Sequence, residues 1–179
     1  MDDRDILALV TGELQHAPEI FKLDHVQYTS GSSLIPTATV RLIGPDGQSH
    51  TDSNQGTGPV DAIYQAINRI IRRPNELIEF SINAITEGLD AVAEVTVRIR
   101  EQGVSSSSDG ENIGASTSTA VSLSGRRSAQ QIFSGYGVHT DTIMAAAYAY
   151  MAALNKMLAA RQERIKAEAV VYEVLGVKF

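Results

Sequence analysis

The chain has 179 residues, enough for one domain or two small repeated units that share a core without covalent staples. It contains no cysteine, which excludes disulfides and thiolate-based metal or catalytic sites and makes the cytoplasm the default compartment. A formal net charge of −6 leaves no general basic field for nucleic acid or an anionic membrane, and 43% hydrophobic residues with 6% aromatics and no Trp imply a core of small aliphatic side chains.

Residues 2–15 place Ile6, Leu7, Val10 and Leu14 at helical spacing behind Asp2 and Asp3, which suit the first helical amides, so they read as a short amphipathic helix ending before Pro18. The acidic start lacks the basic and apolar regions of a signal peptide, and no later apolar run approaches the length of a bilayer span. From Ile20 the period changes: IFKLDHVQYTS, LIPTATVRLI and, after a GPDG turn, a polar stretch through Ser53 read as three strands. GTGPVDAIYQAINRII then places Val60, Ile63, Tyr64, Ile67 and Ile70 on one helical face, with Pro59 in the first turn and Pro74 as the stop.

After Pro74 the same order returns. ELIEFSINAITEG, LDAVAEVTVRIREQ and a segment ending in IFSGYG are strand-like, and the Ala-rich run from Asp141 is a long helix. The chain therefore reads as an α+β fold of two pseudosymmetric βββα units, residues 19–75 and 76–168, produced by internal duplication. Gly56, Gly58, Asp61 and Ile63 recur as Gly135, Gly137, Asp141 and Ile143, with one extra residue before the second Asp. A Ser-rich insertion over 103–130 reads as a solvated loop, and the apolar tail 169–179 as a docked strand.

The two Gly-x-Gly to helix junctions carry the chemistry. Glycines let a backbone approach a ligand closely, and a helix start presents unpaired amides that suit a carboxylate or phosphate; a tight turn is the plain alternative. A dinucleotide site is a poor match, since GTGPVD lacks the third glycine and no Walker lysine follows. His139 and Asp141 invite an acid/base or metal reading, but HTD at a helix entry is more simply a turn capped by Thr140 or Asp141. Ser134, His139 and Asp141 sit close in sequence without a GxSxG elbow, and His16, His25 and His50 lack paired ligand spacing. The alanines at 145–147, 149, 152 and 153 favour helix and would also permit a close helix–helix or subunit contact.

SGSSLIPTATVRL, GTGPVDA, INAITEGLDAVAEVTVRI and GYGVHTDTIMAAAYAYMAALNKM together span most of residues 19–158. In combination they resemble the C-terminal regulatory domain of 2-isopropylmalate synthase, shared in outline with citramalate synthase. The resemblance implies a homodimer and an allosteric L-leucine site for feedback inhibition in leucine biosynthesis. It also implies a catalytic TIM-barrel domain, in cis or trans, with no counterpart on this chain, so that catalytic, metal and cofactor residues are absent here, and it makes residues 1–18 the linker helix that leads from that barrel. Carried onto matching positions, the leucine site comprises Gly58, Pro59, Val60 and Ala62 at the first helix start, and Gly137, Val138, Asp141 and Thr142 at the second. Leu77, Phe80 and Ala84 on the opening strand of the second unit, and Ala91 beside it, complete the set. Helix-start amides would take the carboxylate, Asp141 or a carbonyl the ammonium, and aliphatic side chains the isobutyl group. The family often has a tyrosine where this chain has Phe80, so one hydroxyl is missing. An isoleucine sensor of the citramalate synthase kind and a dimerisation module without a ligand are the alternatives.

Overall fold

The structure is a computed structural model that describes residues 18–85, 91–102 and 131–174; the linker helix, the Ser-rich insertion and residues 175–179 lie outside the described residues. In chain order it contains β1 (Lys22–Gly31), β2 (Leu34–Ile43), β3 (Ser49–Gln55), α1 (Pro59–Ile71), β4 (Asn75–Ala84), β5 (Ala93–Glu101), β6 (Ile132–His139) and α2 (Thr142–Val174). The strands form two antiparallel three-stranded sheets, β1-β2-β3 and β4-β5-β6, so the fold is α+β with a repeated βββ unit.

Each central strand is dictated by a period of two. In β2, Ala38, Val40 and Leu42 are buried while Arg41 faces solvent; in β5, Val95, Val97 and Ile99 are buried while Arg98 faces solvent. The polar β3, SHTDSNQ, has no apolar face of its own and is held by its ladder to β2. Register matches the two units residue by residue around their central strands. Val40 lies opposite Val26 on β1 and Asp52 on β3, whereas Val97 lies opposite Phe80 on β4 and Gly135 on β6. The edge strands even slip at the same place, between Leu23 and His25 and between Leu77 and Glu79. Hence Leu23, Val26 and Tyr28 correspond to Leu77, Phe80 and Ile82.

The helix starts correct the repeat inferred from sequence. The first helical bond of α1 runs from Ala62 N–H to Gly58 O, and that of α2 from Ala145 N–H to Asp141 O, so Gly58 corresponds to Asp141 and not to Gly137. The glycines of β6 have a different cause. A Cβ on Gly135 would stand 1.8 Å from Ala149 O, and one on Gly137 2.2 Å from Ala145 O. The helix backbone lies directly on the strand, and the fully buried Ala145, Ala149 and Ala153 are the other half of that contact. Within the chain, then, this part of the alanine stripe packs helix on sheet. At the equivalent positions of β3, α1 leaves room for side chains, and Asp52 ion-pairs with Arg69 at 3.0 Å.

The tail also departs from expectation. Residues through Val174 continue α2 instead of forming a strand, because ARQERIKAEA is built of strong helix formers and extending an existing helix is far cheaper than starting a new element. From Gln162 onward the described side chains are exposed. By length and composition alone, Thr142–Val171 would qualify as a bilayer span, contrary to the sequence reading, but 61% of its apolar window is buried within the fold. Its Ala, Met, Leu and Tyr residues pack on β5, β6 and α1.

Candidate ligand site at the first helix start

A cleft of about 360 Å³ opens where α1 begins, lined by Thr57, Gly58, Pro59, Val60, Asp61, Tyr64, Leu77 and Phe80. Its size is that of a small-molecule site. One end is polar. Gly58 is the N-cap and supplies no side chain, no side-chain hydrogen bond caps the helix among the described residues, and Pro59 follows in the first turn, so the helix start presents its partial positive charge to the cleft. Beside it the Asp61 carboxylate accepts the Thr57 N–H at 2.8 Å and the Thr57 hydroxyl at 3.3 Å. The other end is apolar, with Val60 and Tyr64 one turn apart on α1 and facing Leu77 and Phe80 on β4.

β4 can line a cleft because, among the described residues, no helix covers it. α1 lies on β2 and β3, and α2 on β5 and β6, which leaves the core-side residues of β4 in the open. Leu77 is 44%, Phe80 37% and Ile82 48% exposed.

The second helix start is closed by its own side chains. Asp141 Oδ1 accepts the Ile143 N–H at 2.8 Å, and Oδ2 accepts the Tyr28 hydroxyl at 3.0 Å. Burial, followed by the Asp141 carboxylate, raises the Tyr28 hydroxyl above the ordinary phenol range and keeps it a donor. His139 Nδ1 accepts the Asp141 N–H at 2.9 Å, which commits that nitrogen's lone pair to the turn. Asp141 is therefore the cap, as one sequence reading held. Ser134 belongs to the exposed face of β6, five strand residues from His139 and roughly 17 Å along the chain, so the three do not form a triad. Among the described residues no group of three or more His, Asp or Glu side chains is placed to hold a metal ion.

Of the positions expected from sequence, Gly58, Pro59, Val60, Leu77 and Phe80 are brought together at the cleft. The others do not line it. Ala62 is fully buried beneath Gly56, Gly137 is pressed on α2, and Val138 is 43% exposed on the sheet face turned away from that helix. Asp141 and Thr142 are at the closed helix start, Ala84 ends β4, and Ala91 precedes β5. Three lining residues had not been assigned to a site. Thr57 and Asp61 flank the glycine in the chain, and Tyr64 shares a helical face with Val60, but only the approach of β4 makes them a wall.

Tyr64 also joins the two units. Its ring stacks on Tyr150 of α2 with centroids 3.9 Å apart, and its hydroxyl donates to Ala146 O at 3.2 Å. Burial, then the neighbouring Tyr150, pushes the Tyr64 hydroxyl far up; burial raises that of Tyr150 to about 12 against the opposing effect of Asn68 and Asn75. The Tyr150 hydroxyl lies 2.8 Å from Asn68 Oδ1 and 2.9 Å from Asn75 Oδ1, and with one proton it donates to one at a time.

The family described as the LeuA allosteric (dimerisation) domain matches residues 1–112 and 106–158. The chain belongs to this family. Similar relatives that carry the name 2-isopropylmalate synthase include one from Crocosphaera subtropica, 44% identical over 164 residues, covering 92% of this chain and 26% of the relative. Another, from Gloeobacter violaceus, is 43% identical over 157 residues, covering 88% and 24%; one from a Nostoc species is 41% identical over 166 residues, covering 93% and 26%. The chain thus spans about a quarter of the length of the relatives it matches.

Proposed function

We propose that the cleft at the start of α1 binds L-leucine and that the chain serves as the feedback-inhibited regulatory part of a 2-isopropylmalate synthase. The observation that carries this is the juxtaposition of an uncapped helix start and the Asp61 carboxylate with the apolar wall of Val60, Tyr64, Leu77 and Phe80. A free amino acid needs these three environments together. The helix-start amides suit its carboxylate, Asp61 its ammonium, and the apolar wall an aliphatic side chain. In this reading Asp61, which lines the cleft and is held by Thr57 and Gln65, takes the part offered above to Asp141, which caps the other helix start and lies off the cleft.

The bare core-side face of β4 supports a homodimer. Ile82 and its neighbours Leu77 and Phe80 are exposed apolar residues on one strand, and a second copy of the chain would cover them beside the cleft. Leucine bound there regulates only if it favours one arrangement of the dimer and its attached catalytic domain over another. Titration of the chain with leucine, isoleucine and valine in a calorimeter, alongside thermal melts, tests the proposal. Heat and stabilisation strongest with leucine are expected. A preference for isoleucine would make it a sensor of the citramalate synthase kind, and no response to any of the three would leave a dimerisation module without a ligand.

A further inference from the structure

We infer that Tyr64 determines which side chain the cleft admits, and that Tyr150 of the second unit holds Tyr64 in place as a positioning residue. The inference rests on the amino-acid reading of the cleft and deepens it. Tyr64 is only 7% exposed, yet that remaining surface forms part of the cleft. It stands six residues beyond Gly58 on the helix, about 9 Å along the axis, and so at the end away from the polar groups. Its hydroxyl is already donated to Ala146 O. What it offers a ligand is therefore ring surface, a stop for an aliphatic chain with no hydrogen bond to give.

The ring has little freedom to retreat. Tyr150 stacks against it at an interplanar angle of 16° and is itself fixed by Asn68 on α1 and Asn75 at the first position of β4. Asn75 Nδ2 also donates to Asn68 Oδ1 at 2.9 Å. One cluster thus ties α1 and β4, the two walls of the cleft, to a residue of α2 that does not line it. A wall that cannot yield discriminates by side-chain length, because each extra methylene must displace packed atoms.

The test titrates the full chain and its Tyr64→Phe, Tyr64→Leu and Tyr150→Leu variants with leucine, methionine and phenylalanine. Tyr64→Phe keeps the wild-type order of affinities, since the ring remains. Tyr64→Leu and Tyr150→Leu each shift the preference from leucine toward the longer side chains by about tenfold or more. An unchanged ratio in Tyr64→Leu overturns the inference and leaves the amino-acid site standing, whereas a wild-type chain that binds none of the three overturns both. Should the leucine substitutions prevent folding, the near-ultraviolet circular dichroism decides, because the chain has no Trp and its signal comes mainly from tyrosine. The change induced by leucine is expected to be lost in Tyr64→Phe, and an identical change there overturns the inference.

Discussion

The Tyr28 hydroxyl, on the first strand of the first unit, donates to the Asp141 carboxylate at the start of the last helix, 3.0 Å away and 113 residues later in the chain. The equivalent pair at the other helix start is Ile82 and Gly58, which have neither hydroxyl nor carboxylate. A duplicated fold has thus closed one of its two helix starts with its own side chains and left the other open.

Loss of the Asp141 cap should therefore be a stability defect. Asp141→Ala is expected to cost about 1–2 kcal/mol in urea denaturation, the usual cost of removing an N-cap, while amino-acid affinity stays at its wild-type value. Lost binding at unchanged stability would return Asp141 to the ligand site.

Gly58→Asp copies the closed helix start onto the open one. Gly58 has an extended φ of −157°, which any residue adopts, and an added Cβ meets nothing within 4 Å. Replacing a Gly cap with Asp should raise stability by a few tenths of a kcal/mol or leave it unchanged. The new carboxylate would occupy the place proposed for the ligand's own, so leucine binding is expected to vanish in calorimetry from a chain that melts no earlier than wild type.

The glycines of β6 make the opposite case. Gly135→Ala and Gly137→Ala drive a methyl group into the backbone of α2, and each should lower stability by upward of about 3 kcal/mol. Gly58→Ala, with open space around it, should cost no more than about 1 kcal/mol. Denaturation of the three variants side by side would show whether close helix packing or turn geometry requires glycine at each place.

Alkaline titration reports on the stacked tyrosines. The folded-state values of Tyr64 and Tyr150 both lie above that of an unfolded phenol, near 10, and Tyr150 reaches about 12. Their contribution to stability is complete below the unfolded value and is lost as pH rises toward the folded ones. Of the six tyrosines in the chain, these two should gain phenolate absorbance only together with loss of the fold, and a variant carrying Tyr150→Phe should have one fewer in that late step.

Much of the fold was legible because it rests on local periodicity. TATVRLI and AEVTVRI alternate apolar and polar residues and the run from Val60 to Ile71 repeats at helical spacing, so the central strands and α1 follow from side-chain direction, while the polar β3 and the Ala-rich α2 are legible only from their place in the repeat and from helix propensity. The site was half legible. Gly58, Pro59 and Val60 could be placed at a helix start from their order, and resemblance supplied Leu77 and Phe80. The two Gly-x-Gly motifs are alike in spacing and unlike in role, since the same residue type serves a bare helix cap at Gly58 and helix-on-strand contact at Gly137.

By itself the sequence determined the α+β class, the duplication and the chemistry available at each helix start, because these depend on residues within a few positions of one another. Only the tertiary structure decided which helix start is open. That depends on Tyr28 reaching Asp141 across the chain, on β4 lying beyond the cover of either helix, and on Tyr150 backing Tyr64, each a contact between residues more than 80 positions apart or between elements whose packing no local period encodes.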